Sequence, residues 1–94
     1  MDILPLGSIV VLKGMSQKGI IVGRYVVLDN DEQKDYLAYP WPHGLSTDGN
    51  DGEIIQLGFN HEDIAIVVHK GYTDAEDNDY LAAVAKVMTD NTGN

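Results

Sequence analysis

The side chains of this chain that could do chemistry are three histidines, fifteen acids and a few serines; cysteine is absent. His61 stands beside Glu62 and Asp63, a grouping in which an imidazole could act as a general base. The residue before it explains the group more simply. Asn60 can cap a short turn, its side-chain oxygen accepting the backbone N–H of Glu62 or Asp63, and both acids suit the positive end of a helical turn. His61 and His69 flank an apolar run and His43 lies far from both, so no metal is expected on them. Asp29, Asp31 and Glu32, and again Asp48, Asn50, Asp51 and Glu53, are oxygen ligands, but neither set has the spacing of a calcium loop. Ser8, Ser16 and Ser46 fall in no nucleophile elbow. Gly44, Gly49 and Gly52 precede a strand rather than the helix that a phosphate cradle needs. The expectation is a protein that is not an enzyme, with no metal and no cofactor.

Two groups are candidates for binding a partner. Tyr39 and Trp41 stand around Pro40, and Pro42 follows. Tryptophan and tyrosine are enriched at interface anchors, so this corner reads as an aromatic contact surface. The competing reading, favoured by the usual burial of tryptophan, is a plug over an open end of the sheet. Asp74, Glu76, Asp77 and Asp79 form the second group. They could meet a basic partner, although capping of a helix and solubility account for them first. The formal charge of −9 argues against nucleic acid, whose phosphates need Lys and Arg, and against anionic membrane surfaces.

The elements that position these groups follow from periodicity. Ser8–Lys13 is a β-rich run, and Ile20–Leu28 a second one interrupted at Gly23, where a bulge is expected. Asp29–Lys34 reads as a polar turn and Asp35–Tyr39 as a third strand, stopped by Pro40 and Pro42. His43–Gly52 is a loop, and Glu53–Gly58 a short strand or extended arm. Ile64–Val68 is so apolar that it reads as a strand covered on both faces, or a central one. Gly71 ends it. Thr73 stands three residues before Glu76, the spacing of a capping box. Tyr80, Leu81, Val84, Val87 and Met88 recur at helical spacing and predict a helix from about Asp74 to Met88, its stripe packed on the sheet that holds Ile64–Val68.

The predicted fold is α+β: one domain over residues 1–94, with a small, strongly bent, mostly antiparallel sheet of four to five strands over residues 1–72, curling toward a barrel. A C-terminal helix over 73–88 packs on it, and 89–94 form a polar tail. The expected core is Ile9, Val11, Ile21, Val26, Leu37, Ile64, Ile66, Val68, Leu81 and Val84. Lack of cysteine leans toward a reducing cytoplasm. The first residues, MDILPLGSIVVLKG, do not read as a signal peptide, because Asp2 replaces a basic start and Pro5 and Gly7 break the apolar run.

Several pieces taken together carry a family resemblance. Leu4–Gly14 resembles an opening of the form LPxGSVVLLKG, and Gly19–Arg24 a following MIIGR strand. Asp35–Leu37 with Tyr39, Pro40 and Gly44 resembles a YDY…YPEG segment. Phe59, Asn60, His61, Glu62, Asp63 and Ile64, followed by Gly71, Tyr72, Thr73 and an acidic helix start, resemble FNHEDI…GY, the most specific piece. Together they are similar to the bacterial family catalogued as domain of unknown function 4176. Trp41-Pro42-His43 departs from its usual acidic step, and the loop Leu45–Gly52 is more polar than its pattern. The resemblance implies a small cytoplasmic protein of Gram-positive bacteria, a companion of type VII secretion loci that export LXG-type toxins. The implied role is a chaperone or adaptor for a cognate secreted toxin, with an immunity protein as the alternative, and the chain a monomer or weak homodimer.

Overall fold

The computed structural model describes residues 2–46, 52 and 54–92. Among these residues five strands, β1 (Ile9–Leu12), β2 (Lys18–Val27), β3 (Gln33–Pro40), β4 (Leu57–Phe59) and β5 (Ile64–His69), precede one α-helix, α1 (Ala75–Thr92). They form one sheet in the order β4-β3-β2-β1-β5, antiparallel throughout. The fold is α+β, as expected, and the sheet is open rather than closed into a barrel, since β4 and β5 are its two edges.

The sheet nevertheless has to curl. Only Asn60–Asp63, including a 3-10 turn at His61–Asp63, links one edge to the other. Four strand spacings of about 4.8 Å would put the edges of a flat sheet roughly 19 Å apart, while a 3-10 turn advances only about 2 Å per residue. The bend sits where the sequence places it. The pairing of β2 with β3 shifts register between Ile21 and Gly23, the bulge expected at the glycine. The predicted polar turn after β2 closes by its own chemistry: Asp31 takes a positive φ, the Asn30 side chain accepts the Glu32 N–H, and Glu32 pairs with Lys34.

The core consists of Leu4, Val10, Leu12, Ile21, Tyr36, Ala38 and Phe59, with Ile64 packed at its rim. This corrects the expected phase. In β1 and β3 the inward residues are Val10, Leu12, Tyr36 and Ala38, not Ile9, Val11 and Leu37, which are half-buried on the other face. Complementary volumes favour this phase: Val10 lies opposite Gly19, and Ile21 opposite Ala38, so large side chains sit beside small ones. Val26 is half-buried, and only Ile21 of the expected set is fully inside.

A second correction concerns β5. It is an edge strand, paired only with β1, and Ile66, Val67 and Val68 are exposed. The helix does not cover it. Instead, α1 lies against the N-terminal segment and β2, its Leu81 forming a hollow with Ile3, Pro5 and Tyr25; Leu81 and Val84 are half-buried and belong to no core cluster. Two contacts redirect the chain. At Gly71 the backbone passes so close to Leu6–Ser8 that an added Cβ would overlap the Leu6 carbonyl. The Gly71 N–H donates to Ser8 Oγ at 2.9 Å, and that buried hydroxyl donates to the Pro5 carbonyl at 2.7 Å. Beyond this crossing, Asp77 on α1 meets Arg24 on β2. The helix also runs through Thr92, so residues 89–92, expected as tail, are helical.

Candidate functional site

The signature turn comes first, because it is where the sequence concentrates polar side chains. Phe59 ends β4 inside the core, its ring 5.3 Å from that of Tyr36. Asn60 and Asp63 form a capping box, with the Asn60 N–H donating to Asp63 Oδ2 at 2.9 Å. Asn60 Oδ1 also accepts the Asp35 N–H at 3.2 Å, and the His61 N–H donates to Asp35 Oδ2 at 2.8 Å. The Tyr36 hydroxyl is 2.6 Å from His61 Nδ1 and accepts the Leu4 N–H at 3.0 Å. One turn therefore clasps the start of β3 and, through Tyr36, the N-terminal segment. Tyr36 is fully buried, and burial pushes its phenol above the ordinary tyrosine range. The Tyr36 hydroxyl and His61 Nδ1 are thus engaged with each other inside the clasp. The His61, Glu62 and Asp63 grouping is architecture, with Glu62 left exposed.

The acidic helix start is also partly committed. Asp74, not Thr73, caps α1: its Oδ1 accepts the Asp77 N–H at 2.9 Å, and its Oδ2 accepts the Tyr72 hydroxyl at 3.0 Å. Thr73 donates to Asp77 Oδ2 instead. Asp77 takes a two-pronged guanidinium contact from Arg24, at 2.7 and 3.2 Å. That hydrogen bond holds its carboxyl below the usual carboxylate range. Arg24 also lies 5.7 Å from the centre of the Tyr80 ring. Of the four acids, Glu76 and Asp79 are the exposed ones, and Tyr72 is largely exposed as well.

The aromatic corner borders an apolar groove. Curling of the sheet leaves a hollow of about 220 Å³ between β1, β3 and β4, with Val10, Leu12, Ala38, Tyr39, Leu57 and Phe59 among its walls. Met15 and Ile55 are at its margin. Trp41 is 39% exposed, so it is not the buried plug that tryptophan statistics favoured. Its backbone is fixed, the Trp41 N–H donating to the Lys18 carbonyl at 2.9 Å and the Trp41 carbonyl accepting from Gln17 Nε2. Leu45, Ile54, Ile55 and Leu57 are exposed along the same stretches of chain.

The three histidines are not brought together: His43 follows β3, while His61 and His69 stand at opposite ends of β5. Among the described residues, no three His, Asp or Glu side chains cluster as a metal site would require. Asp48, Asn50, Asp51 and Glu53 lie outside the described residues. No helix among the described residues is long and apolar enough to cross a membrane. Sequence reasoning missed Tyr36 and Arg24 as anchors, and it missed the groove. Arg24 had a readable signal, as the single base in an apolar run beside the bulge glycine. The groove had none, because it exists only once the sheet curls.

No curated protein and no solved structure matches the chain. The family described as "Domain of unknown function (DUF4176)" matches residues 3–80, a span that takes in the whole sheet, the clasp and the Arg24–Asp77 anchor. On that match the chain belongs to the DUF4176 family.

Proposed function

We propose that this chain is a non-enzymatic protein-binding module, an accessory chaperone or adaptor that holds a toxin in the cytoplasm of a Gram-positive bacterium before type VII export. The observation that carries the binding reading is the apolar groove walled by Tyr39 and Leu57, together with the exposed indole of Trp41 two residues along the chain from Tyr39. Contiguous apolar surface of this kind on a small domain marks an interaction site. The polar side chains that could have suggested catalysis are engaged in the clasp and the helix cap. The toxin as partner rests on the sequence resemblance to companions of secretion loci.

The net charge of −9 gives a second reading some support, that of an immunity protein steered onto a basic catalytic domain. Co-expression with fragments of any large toxin-like protein encoded beside this chain separates the two. Capture of the export-side or central region, with more soluble toxin, is the expected result. Capture of the catalytic domain alone, with loss of toxicity, would replace the escort by immunity.

A further inference from the structure

We infer that the groove takes one apolar side chain of its protein partner, with a carboxylate next to that side chain meeting Lys18 at the rim. The inference rests on the binding reading of the groove and names the chemistry of the segment that fills it. Size sets the anchor. The hollow of about 220 Å³ exceeds by a little the cavity of about 150 Å³ that holds a benzene ring. It seats one aromatic ring or one long aliphatic side chain, and not the face of a helix. Its inner wall is the core itself, since Val10, Leu12, Ala38 and Phe59 are buried and line it. Pockets of this kind take an apolar body and orient it by a few polar groups.

Charge sets what stands beside the anchor. The chain carries fifteen acids and a net charge of −9, yet no acid lines the groove among the described residues, and one lysine does. Three other hollows of the surface differ. Asp2 lines one, Asp29 another, and Asp74, Glu76 and Asp77 the third. Arg24 is taken by Asp77 and Lys34 by Glu32, whereas Lys18 has no ion-pair partner among the described residues. The backbone of Lys18 is fixed at the start of β2, opposite Val11, with its carbonyl accepting the Trp41 N–H. The Gln17 amide is spent on the Lys18 and Trp41 carbonyls. That leaves the exposed Lys18 ammonium and Gln56 amide as donors at the rim. The net charge draws basic partners to the chain as a whole; the groove selects locally for an acid.

The test uses three short capped peptides that share one phenylalanine and differ in the residue after it: aspartate, asparagine or lysine. Each is titrated into the full chain, and binding is read from the NMR shifts of the Val10, Leu12 and Leu57 methyl groups. The aspartate peptide should bind about two- to fivefold more tightly than the asparagine peptide, the range of an exposed ion pair, and the lysine peptide most weakly. Lys18→Glu should reverse the order of the aspartate and lysine peptides. Lys18→Gln, the milder change at a paired strand position, should bring aspartate level with asparagine, and circular dichroism checks that both variants fold. Equal binding of the three peptides, or an order that neither variant alters, would overturn the charge selection and leave the groove as a binding site. Groove methyl groups that respond to none of the peptides would overturn the inference together with the reading it rests on.

Discussion

Replacing Tyr36 by phenylalanine removes one oxygen atom from a side chain that is otherwise enclosed in the core. If the clasp holds the N-terminal segment to the sheet, the cost is larger than one hydrogen bond. The hydroxyl accepts the N–H of Leu4, which is itself buried, and is hydrogen-bonded to His61 Nδ1. Losing the bond to His61 costs about 1 kcal/mol, and orphaning the Leu4 N–H about 1–3 kcal/mol more. The sum, about 2–4 kcal/mol, is a large part of the roughly 5–10 kcal/mol that a domain of this size has. It corresponds to a fall in melting temperature of about 10–20 °C. Urea and thermal unfolding, followed by circular dichroism and Trp41 fluorescence, would measure it. A double-mutant cycle with His61→Ala should return a coupling of about 1 kcal/mol. The alkaline limb adds a second reading. Because burial raises the Tyr36 phenol, its contribution is complete below the unfolded value near 10 and is lost as pH rises through the higher native value. Tyr36→Phe should lack that part of the alkaline loss. A variant within about 0.5 kcal/mol of the parent, the range of neutral surface changes, would refute the clasp.

Gly71→Ala should destabilise by about 3 kcal/mol in the same melts, because the new methyl meets backbone atoms of Leu6–Ser8 that cannot rotate away. Asp77→Asn should loosen α1 at a cost of about 1–3 kcal/mol, between the exposed and buried limits for an ion pair; faster amide exchange across 75–92 would show it. The contribution of Asp77 should be complete above the ordinary carboxylate value of 3.8 and be lost as pH falls through its lowered native value, so Asp77→Asn should lack that part of the acid loss. Trp41→Ala should change stability by less than about 1 kcal/mol, since the indole is half-exposed, while toxin capture by pull-down falls sharply.

The strands were legible because their signals are local. The β-branched residues of Ile9–Val11, the glycine within β2 and the turn chemistry of Asp29–Lys34 each act over a few neighbours, and each appears in the structure. Phase was not legible in β1, because Ile9-Val10-Val11-Leu12 is apolar on both faces and alternation cannot choose between them. In β3 the inward residue is Tyr36, whose polar tip needs the partners that Leu4 and His61 supply only in the folded chain. For β5, an apolar run predicts burial but does not count neighbours, and the chain supplies only one. The helix cap moved by one residue because Thr73 and Asp74 are both good caps, and the Arg24–Asp77 pair settles which of them is used. Of the candidate site, Trp41 was visible as an unusual residue between prolines. The groove depends on the curl of the whole sheet.

The proposed function places partner binding in the groove, which the signature turn helps to build. The most direct test is capture of the toxin's export-side or central fragment by the parent chain and by Leu57→Lys, which sets a charge at an exposed position on the groove wall. The expected variant remains folded and no longer captures the fragment. Capture by Leu57→Lys at the level of the parent chain would contradict the proposed function.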